Sequence, residues 1–509
     1  MHFNPQVEQL IQQSLQLTSQ GRFAQALAGF EQVRKADAAY ANDNPQIQFA
    51  AGQCLAATGR VEASITAFRR VTELLPNNVA AKLELARLHR RTGNDASAYI
   101  ELSKALQLEP DNLRGICQMA EHAMDQGDYT AALKMLDPHI ALIRAGASND
   151  VMMTLAFARL APLVGREEEA LDLLSRIASN AEISPSVRFA VLTAMIVCED
   201  KLGRFDDALR HSKEAHELTK ASHDAQAHTE RVDRLIETWT PEAMRELPRA
   251  EHVPGKAEVT FVIGFPGSGT TLVERTIGAH PDAIPCGELP GLRRIAMHLD
   301  PDSGSGVPML FEPGKLDAEF VQNAAKSYMQ MIDRVLALLA PGLNPGFVTD
   351  KNGINAFHLP AIAAVFPNCR VIYVKRAPAD TCVSHHLNLF GGAFPYSGDP
   401  HSLGRYYRDF ARTMDHWRSN SDALGIRFHE VQYESFVSNH ESTAKELIEF
   451  SGLSWDDKCL NYMGVRPAGR ATCIDEVRMP VFNSHIGRHK HYTDLMGPLG
   501  AGLEGAAAS

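Results

Sequence analysis

The stretch Val259-Thr-Phe-Val-Ile-Gly-Phe-Pro-Gly-Ser-Gly-Thr-Thr-Leu-Val-Glu-Arg-Thr-Ile-Gly-Ala-His280 decides how the second half of this chain folds. Its first residues, Val259 to Ile263, are apolar and mostly β-branched, which predicts a buried strand. Gly264 to Gly269 then reads as a turn. After it, Leu272, Val273, Thr276 and Ile277 recur at helical spacing and mark the inner face of an amphipathic helix. Strand, Gly-rich loop and helix N-terminus together make an anion cradle, because loop N–H groups and the positive end of the helix dipole face one spot. Pro266 shapes the loop, and Gly267 and Gly269 let the backbone approach a ligand. Ser268, Thr270 and Thr271 add hydroxyl donors.

Working outward, 509 residues are too many for one core and predict two to four domains. Hydrophobic residues make up 45% and charged residues 22%, the composition of a globular protein rather than a disordered or collagen-like one. Acidic residues outnumber basic ones, 61 to 50, so the chain has no general affinity for nucleic acid and any anion site must be local. The eight cysteines include no C-x-x-C pair, which disfavours a zinc site or a disulfide framework and suits a reducing compartment. The first residues lack a basic and apolar leader, and no apolar run reaches the ~20 residues of a membrane span. The expected location is cytoplasmic.

Toward the N-terminus the sequence repeats. Gly21-Arg-Phe-Ala-Gln-Ala26, Gly127-Asp-Tyr-Thr-Ala-Ala132 and Gly203-Arg-Phe-Asp-Asp-Ala208 share one signature, and related glycines stand at 59, 93 and 165. Gly59, Gly93 and Gly127 are 34 residues apart, the period of tetratricopeptide repeats. Phe30, Phe68 and Leu102 each fall nine residues after their glycines, and Pro76 and Pro110 close their repeats. Glycine ends one helix, a small residue lets the next pack closely, and proline stops that second helix. Residues 1–250 are therefore expected to form an all-α tetratricopeptide solenoid that takes a protein or peptide in its groove. Such an array also serves to dimerise a chain or brace a neighbouring domain. His223 to Leu247 reads as one further helix before a linker around residue 250.

From Ala257 onward strand and helix patterns alternate, which predicts an α/β domain with a parallel sheet over 257–500. Phe347–Asp350, Arg370–Val374 and Arg427–Tyr433 read as strands, each ending in a polar cluster where parallel sheets place ligands. Gly264 to Thr271 fits the frame G-x-x-x-x-G-K-[ST] except that Thr270 replaces the lysine. Nothing there reaches a β/γ-phosphate, so a kinase or NTPase reading is disfavoured.

Phe265-Pro-Gly-Ser-Gly-Thr-Thr-Leu272 resembles the 5′-phosphosulfate loop of sulfotransferases, and Arg370 to Ser384 resembles their 3′-phosphate motif, an Arg at a strand end with a Ser eight residues later. With the repeat array, the chain is similar to bacterial tetratricopeptide-containing sulfotransferases, and several motifs resemble the tyrosylprotein sulfotransferases. The resemblance implies 3′-phosphoadenosine 5′-phosphosulfate (PAPS) as donor and a P-loop-like fold. It places Arg376 and Ser384 on the 3′-phosphate. Cys286-Gly-Glu-Leu289 resembles the family's Gly-Glu element, which makes Glu288 the general base. Thr349-Asp-Lys-Asn-Gly-Ile-Asn355 resembles an Asp-Lys element, which puts Lys351 on the leaving phosphate. Tyr433 ends a strand as a nucleotide contact or a core tyrosine. Ser484-His-Ile-Gly-Arg488 resembles the family's closing segment, which implies that Ser484 and Arg488 cover the cofactor.

Gly267 departs from the family, where a basic residue is usual. The resemblance therefore implies either an enzyme acting on a hydroxyl acceptor (a protein tyrosine, a carbohydrate or a small molecule) or a repeat scaffold with a low-activity, nucleotide-binding domain. Restoring Arg at 267 is expected to separate the two. The pairs His385/His386 and His489/His491 lack accompanying carboxylate or Cys spacing, so no metal is expected. Residues 501–509 read as a disordered tail.

Overall fold

The structure is a computed structural model and describes residues 5–219, 222–253, 255, 257–303, 307–339, 342–390, 393–462, 465 and 486–504. The chain divides into two compact units, Met1–Val164 and Gly165–Ser509.

The first unit is a succession of antiparallel helix pairs: Pro5–Ser19 with Phe23–Ala36, Pro45–Ala57 with Val61–Leu74, Val79–Arg91 with Asp95–Leu108, and Leu113–Asp125 with Tyr129–Arg144. The glycines that carry the repeat sit in the tight turn within each pair. Gly21, Gly59, Gly93 and Gly127 all have φ between +71° and +78°, a region that costs any residue with a Cβ. Helix starts are capped on the same period. Asn78 and Asn112 accept from the backbone N–H three residues on, as do Asn94 and Asp128. Phe68 and Leu102 are fully buried, and a Cβ on Gly52 would lie 2.9 Å from the Phe68 ring, so the first helix of that pair must be bare where the second crosses it. The 38-residue step from Gly21 to Gly59 accommodates an extra short helix, Ala38–Asp43.

In the second unit the helix-pair pattern continues through Glu167–Ala178, Pro185–Lys201 and Phe205–Thr219. These helices nevertheless pack against C-terminal elements of the chain. Leu192, Ile196, Leu209 and Ala215 share a core with Val383, Leu387, Tyr492 and Leu495. The compact boundary thus falls after Val164, whereas the change from helical to mixed structure falls near residue 250, where the sequence suggested a boundary. The single helix expected from His223 to Leu247 is two, Ala225–Thr238 and Pro241–Arg245, because Thr240 caps the second and Pro241 begins it. Trp239 between them is fully buried and donates its indole N–H to Leu310 O at 2.7 Å.

Five parallel strands form the sheet: β1 Glu258–Ile263, β2 Ala283–Pro285, β3 Phe347–Lys351, β4 Arg370–Lys375 and β5 Arg427–Gln432, in the spatial order β2-β3-β1-β4-β5. β1 is central and buried from Val259 onward, with Val262 beside Lys351 on one side and Ile263 beside Tyr373 on the other. The final helix, Thr493–Glu504, runs four residues into the tail expected to be disordered; residues 505–509 lie outside the described residues. It folds because Gly404 and Gly502 allow close approach to the helix Pro400–Ser419: a Cβ on Gly404 would meet Leu499 O at 2.5 Å.

Candidate active site

Each strand delivers one candidate residue to the same, C-terminal edge of the sheet. β1 runs into the loop Gly264–Gly269 and the helix Thr270–Gly278. Gly267 and Gly269 both have φ +97°, and a Cβ on Gly269 would lie 2.7 Å from Tyr433 Cε2, so no other residue fits there. Ser268 is 1% exposed, and its hydroxyl has no hydrogen-bond partner among the described residues. A buried hydroxyl without a partner inside a Gly-rich loop at a helix N-terminus fits an anionic ligand. Thr270 and Thr271 open the helix, and Pro266 offers its carbonyl to His385 Nδ1 at 3.2 Å.

On one side of the loop, β3 ends in Lys351 and β2 leads into Glu288. Lys351 Nζ donates to Glu288 Oε1 at 2.9 Å, with side-chain exposures of 4% and 34%. The loop is close by register: Asn352 N–H donates to Val262 O, and a Cβ on Gly353 would lie 2.6 Å from Gly264 O.

On the other side, β4 leads into Arg376, which is 4% exposed. Its Nη1 donates to Gly267 O at 2.8 Å and lies 3.4 Å from Ser384 Oγ, while its guanidinium sits 4.7 Å over the Tyr433 ring. Ser384 is in the second turn of the helix Pro378–Asn388. Tyr433 comes directly after β5, 9% exposed, and serves as a wall: it backs Gly269 with one edge and Arg376 with its face.

Residues 260–457 match the model of the sulfotransferase family. Over those residues the chain is similar to the sulfotransferase family. Residues 15–79 and 60–112 match the tetratricopeptide repeat. An uncharacterized protein of Aquifex aeolicus is 28% identical over 344 residues, 65% of this chain and 43% of that protein. Protein-tyrosine sulfotransferase 1 of Danio rerio is 26% identical over 208 residues, 40% of this chain and 55% of that protein. Protein-tyrosine sulfotransferase A of Caenorhabditis elegans is 22% identical over 209 residues, 40% and 52% respectively. The chain spans about half the length of these curated relatives.

The segment expected to close over the cofactor is placed in part. Ser484 lies outside the described residues. Arg488 engages a protein carboxylate, with Nη2 at 2.7 Å and Nε at 3.2 Å from Asp200 in the helix Pro185–Lys201. Its neighbours are held on Asp380, which accepts from Gly487 N–H, His489 N–H and His489 Nδ1 at 2.6–2.9 Å. Burial raises the Asp380 carboxyl, but these donors outweigh it and leave the group below its ordinary range.

His385 and His386 are wholly buried and tied to protein oxygens: His385 to Pro266 O and Ser397 Oγ, His386 to Ser397 O and Ser212 Oγ. Burial lowers both imidazoles to about 3. Among the described residues no group of three or more His, Cys, Asp or Glu is placed to hold a metal, and no helix is long and apolar enough to cross a membrane.

Sequence reasoning passed over two residues. Glu274 in the loop helix and Asp350 at the end of β3 are fully buried carboxylates. Burial raises Glu274, against the attraction of Lys351 and two hydrogen bonds, and pushes Asp350 up to about 7. The signal was present: an acid on the inner face of each apolar pattern, Leu272-Val-Glu-Arg-Thr-Ile277 and Phe347-Val-Thr-Asp350.

Proposed function

We propose that this domain transfers the sulfuryl group of PAPS to a hydroxyl acceptor. The observation that carries the reading is the Lys351–Glu288 pair, a buried cation and a half-exposed carboxylate beside the Gly-rich loop. When bound, the donor supplies an activated sulfuryl group on a 5′-phosphate. The loop N–H groups of Gly267 to Thr271, with the hydroxyls of Ser268, Thr270 and Thr271, bind that phosphate. Arg376 and Ser384, across the same loop, bind the 3′-phosphate.

The difference in exposure orders the roles. Lys351 is the buried partner and neutralises charge on the leaving phosphate. Glu288 faces outward and takes the proton of the incoming hydroxyl. The remaining work is in-line positioning. The acceptor class includes protein tyrosine, which the names of the zebrafish and nematode relatives specify for those proteins. The tetratricopeptide array recruits the acceptor or a partner that carries it.

A second reading, a scaffold that binds nucleotide with little turnover, rests on Gly267, which has no charged side chain of its own. Radiolabelled sulfate transfer from PAPS to tyrosine peptides, glycans and small phenols, with calorimetry of adenosine 3′,5′-bisphosphate, tests both. Transfer supports the enzyme, binding without transfer supports the scaffold, and neither binding nor transfer overturns both.

A further inference from the structure

The turn that carries Glu288 is held on both flanks by buried carboxylates. Gly287 N–H donates to Glu274 Oε1 at 2.9 Å, and Leu289 N–H donates to Asp350 Oδ1 at 3.4 Å. The same Glu274 oxygen also accepts from Thr349 Oγ1 at 2.9 Å, two residues before Lys351 on β3. Glu274 itself belongs to the helix that opens from the Gly-rich loop. One side-chain oxygen therefore joins the three segments that carry the loop, the candidate base and the candidate lysine.

Nothing about packing requires an acid at 274. The residue is wholly buried beside Val273 and Ile277, where an aliphatic side chain would be cheaper, and its second oxygen has no hydrogen-bond partner among the described residues. What a carboxylate does there, and a leucine cannot, is accept from Gly287 and Thr349 together. Gly287, at φ +65°, turns its N–H inward to reach it, while Lys351 N–H donates to Gly287 O at 2.9 Å from the other side. Glu288 thus leaves a backbone that is fixed at the preceding and following residues.

We propose that Glu274 is a positioning residue that sets Glu288 against Lys351 and holds both in register with the Gly-rich loop. This role rests on the sulfuryl-transfer reading. Displacement of a reacting group by about 1 Å can cost roughly 10²-fold in rate, which sets the size of the effect to look for.

The test uses the full chain with Glu274→Leu and Glu274→Gln, since glutamine keeps a carbonyl oxygen for both donors. The expected result for Glu274→Leu is a kcat lower by roughly 10²-fold, with the Kd for adenosine 3′,5′-bisphosphate within about threefold of wild type and Glu274→Gln restoring most of kcat. Unchanged kcat in Glu274→Leu overturns the proposal, and so does a parallel loss of kcat and nucleotide binding in both variants. Should Glu274→Leu fail to fold, Thr349→Val removes one donor and leaves the acid; it is expected to lower kcat about tenfold at constant Kd, and wild-type kcat overturns the role. Amide exchange reads the clip without activity. Faster exchange of Gly287 in Glu274→Leu but not in Glu274→Gln supports it, and unaltered exchange overturns it. A wild type that transfers nothing while its Gly287 amide responds in this way refutes the sulfuryl-transfer reading and the catalytic role, not the clip.

Discussion

Lys351 Nζ and Glu288 Oε1 are 2.9 Å apart, yet the lysine side chain is 4% exposed and the glutamate 34%. The pair spans the depth of the site, with its cation buried and its carboxylate half-exposed. Lys351→Ala is expected to lower transfer roughly 10²–10³-fold, as loss of an electrostatic donor does. Glu288→Gln is expected to lower kcat while leaving nucleotide affinity close to wild type. The double variant should lose less than the sum of the two, because each residue's role depends on the other. Steady-state kinetics with calorimetry checks all three.

Gly267 cannot simply be restored to the family's basic residue. It has φ +97°, and a Cβ there would lie 3.2 Å from Thr381 O and 3.5 Å from Ser384 Cβ. The Gly267→Arg experiment suggested by the sequence therefore tests strain as much as charge. Its expected outcome is a loss of about 1–3 kcal/mol in stability without a gain in transfer. Thermal melts and a transfer assay decide it.

Arg376 already brings a guanidinium to that loop, through Nη1 to Gly267 O at 2.8 Å. Arg376→Lys is expected to keep the charge but lose the planar fork and its stacking on Tyr433. Affinity for adenosine 3′,5′-bisphosphate should fall at least tenfold, and affinity for adenosine 5′-phosphate should fall much less. Equal losses for the two nucleotides would remove Arg376 from the 3′-phosphate.

Acid should unfold the second unit early. Burial holds His228, His385 and His386 at about 3 and His358 at about 4, against an ordinary 6.5. Each stays neutral when folded and takes a proton when unfolded, so its stabilisation is complete above 6.5 and is lost as pH falls toward its folded value. The slope is about 1.4 kcal/mol per pH unit per group. Asp350, raised to about 7 by burial, acts in the opposite sense, holding its proton in the folded state from about 7 down to 3.8. Glu274 shares that direction. Four histidines against two carboxyls predict a net loss of stability between pH 6.5 and 4.5, checked by urea unfolding at several pH values.

A chain begun at residue 250 should be less stable than one begun at 165. The shorter piece loses Trp239, whose indole bonds Leu310 O and whose carbonyl accepts from His416 Nε2 at 2.8 Å. It also exposes Val383, Leu387 and Leu495, which pack on the helices Pro185–Lys201 and Phe205–Thr219. Aggregation of the 250 fragment beside a cooperative melt of the 165 fragment is the expected result. Equal melts would return the structural boundary to residue 250.

Local rules carried the sequence reading a long way. The period of Gly59, Gly93 and Gly127 shows because a left-handed turn admits glycine almost alone, and the strand–loop–helix at 259–280 shows because both of its periodicities are local. The residues at the strand ends could be nominated one by one for the same reason. Their partners could not. Arg488 looks like any basic residue of a closing segment until Asp200, 288 positions away, takes its guanidinium. The helix Thr493–Glu504 ends in a small-residue stretch that favours disorder locally, and its last turn forms because Gly502 fits against Gly404.

By itself, then, the sequence determined the helix-pair array, the alternating strands and helices after residue 257, and the glycine loop, since each depends on neighbours a few residues apart. Tertiary structure alone decided where the compact units divide, that Lys351 meets Glu288, and that one buried acid at 274 reaches both Gly287 and Thr349. Those outcomes depend on the order and register of parallel strands joined by long crossovers, a non-local property that the side chains of one segment do not encode.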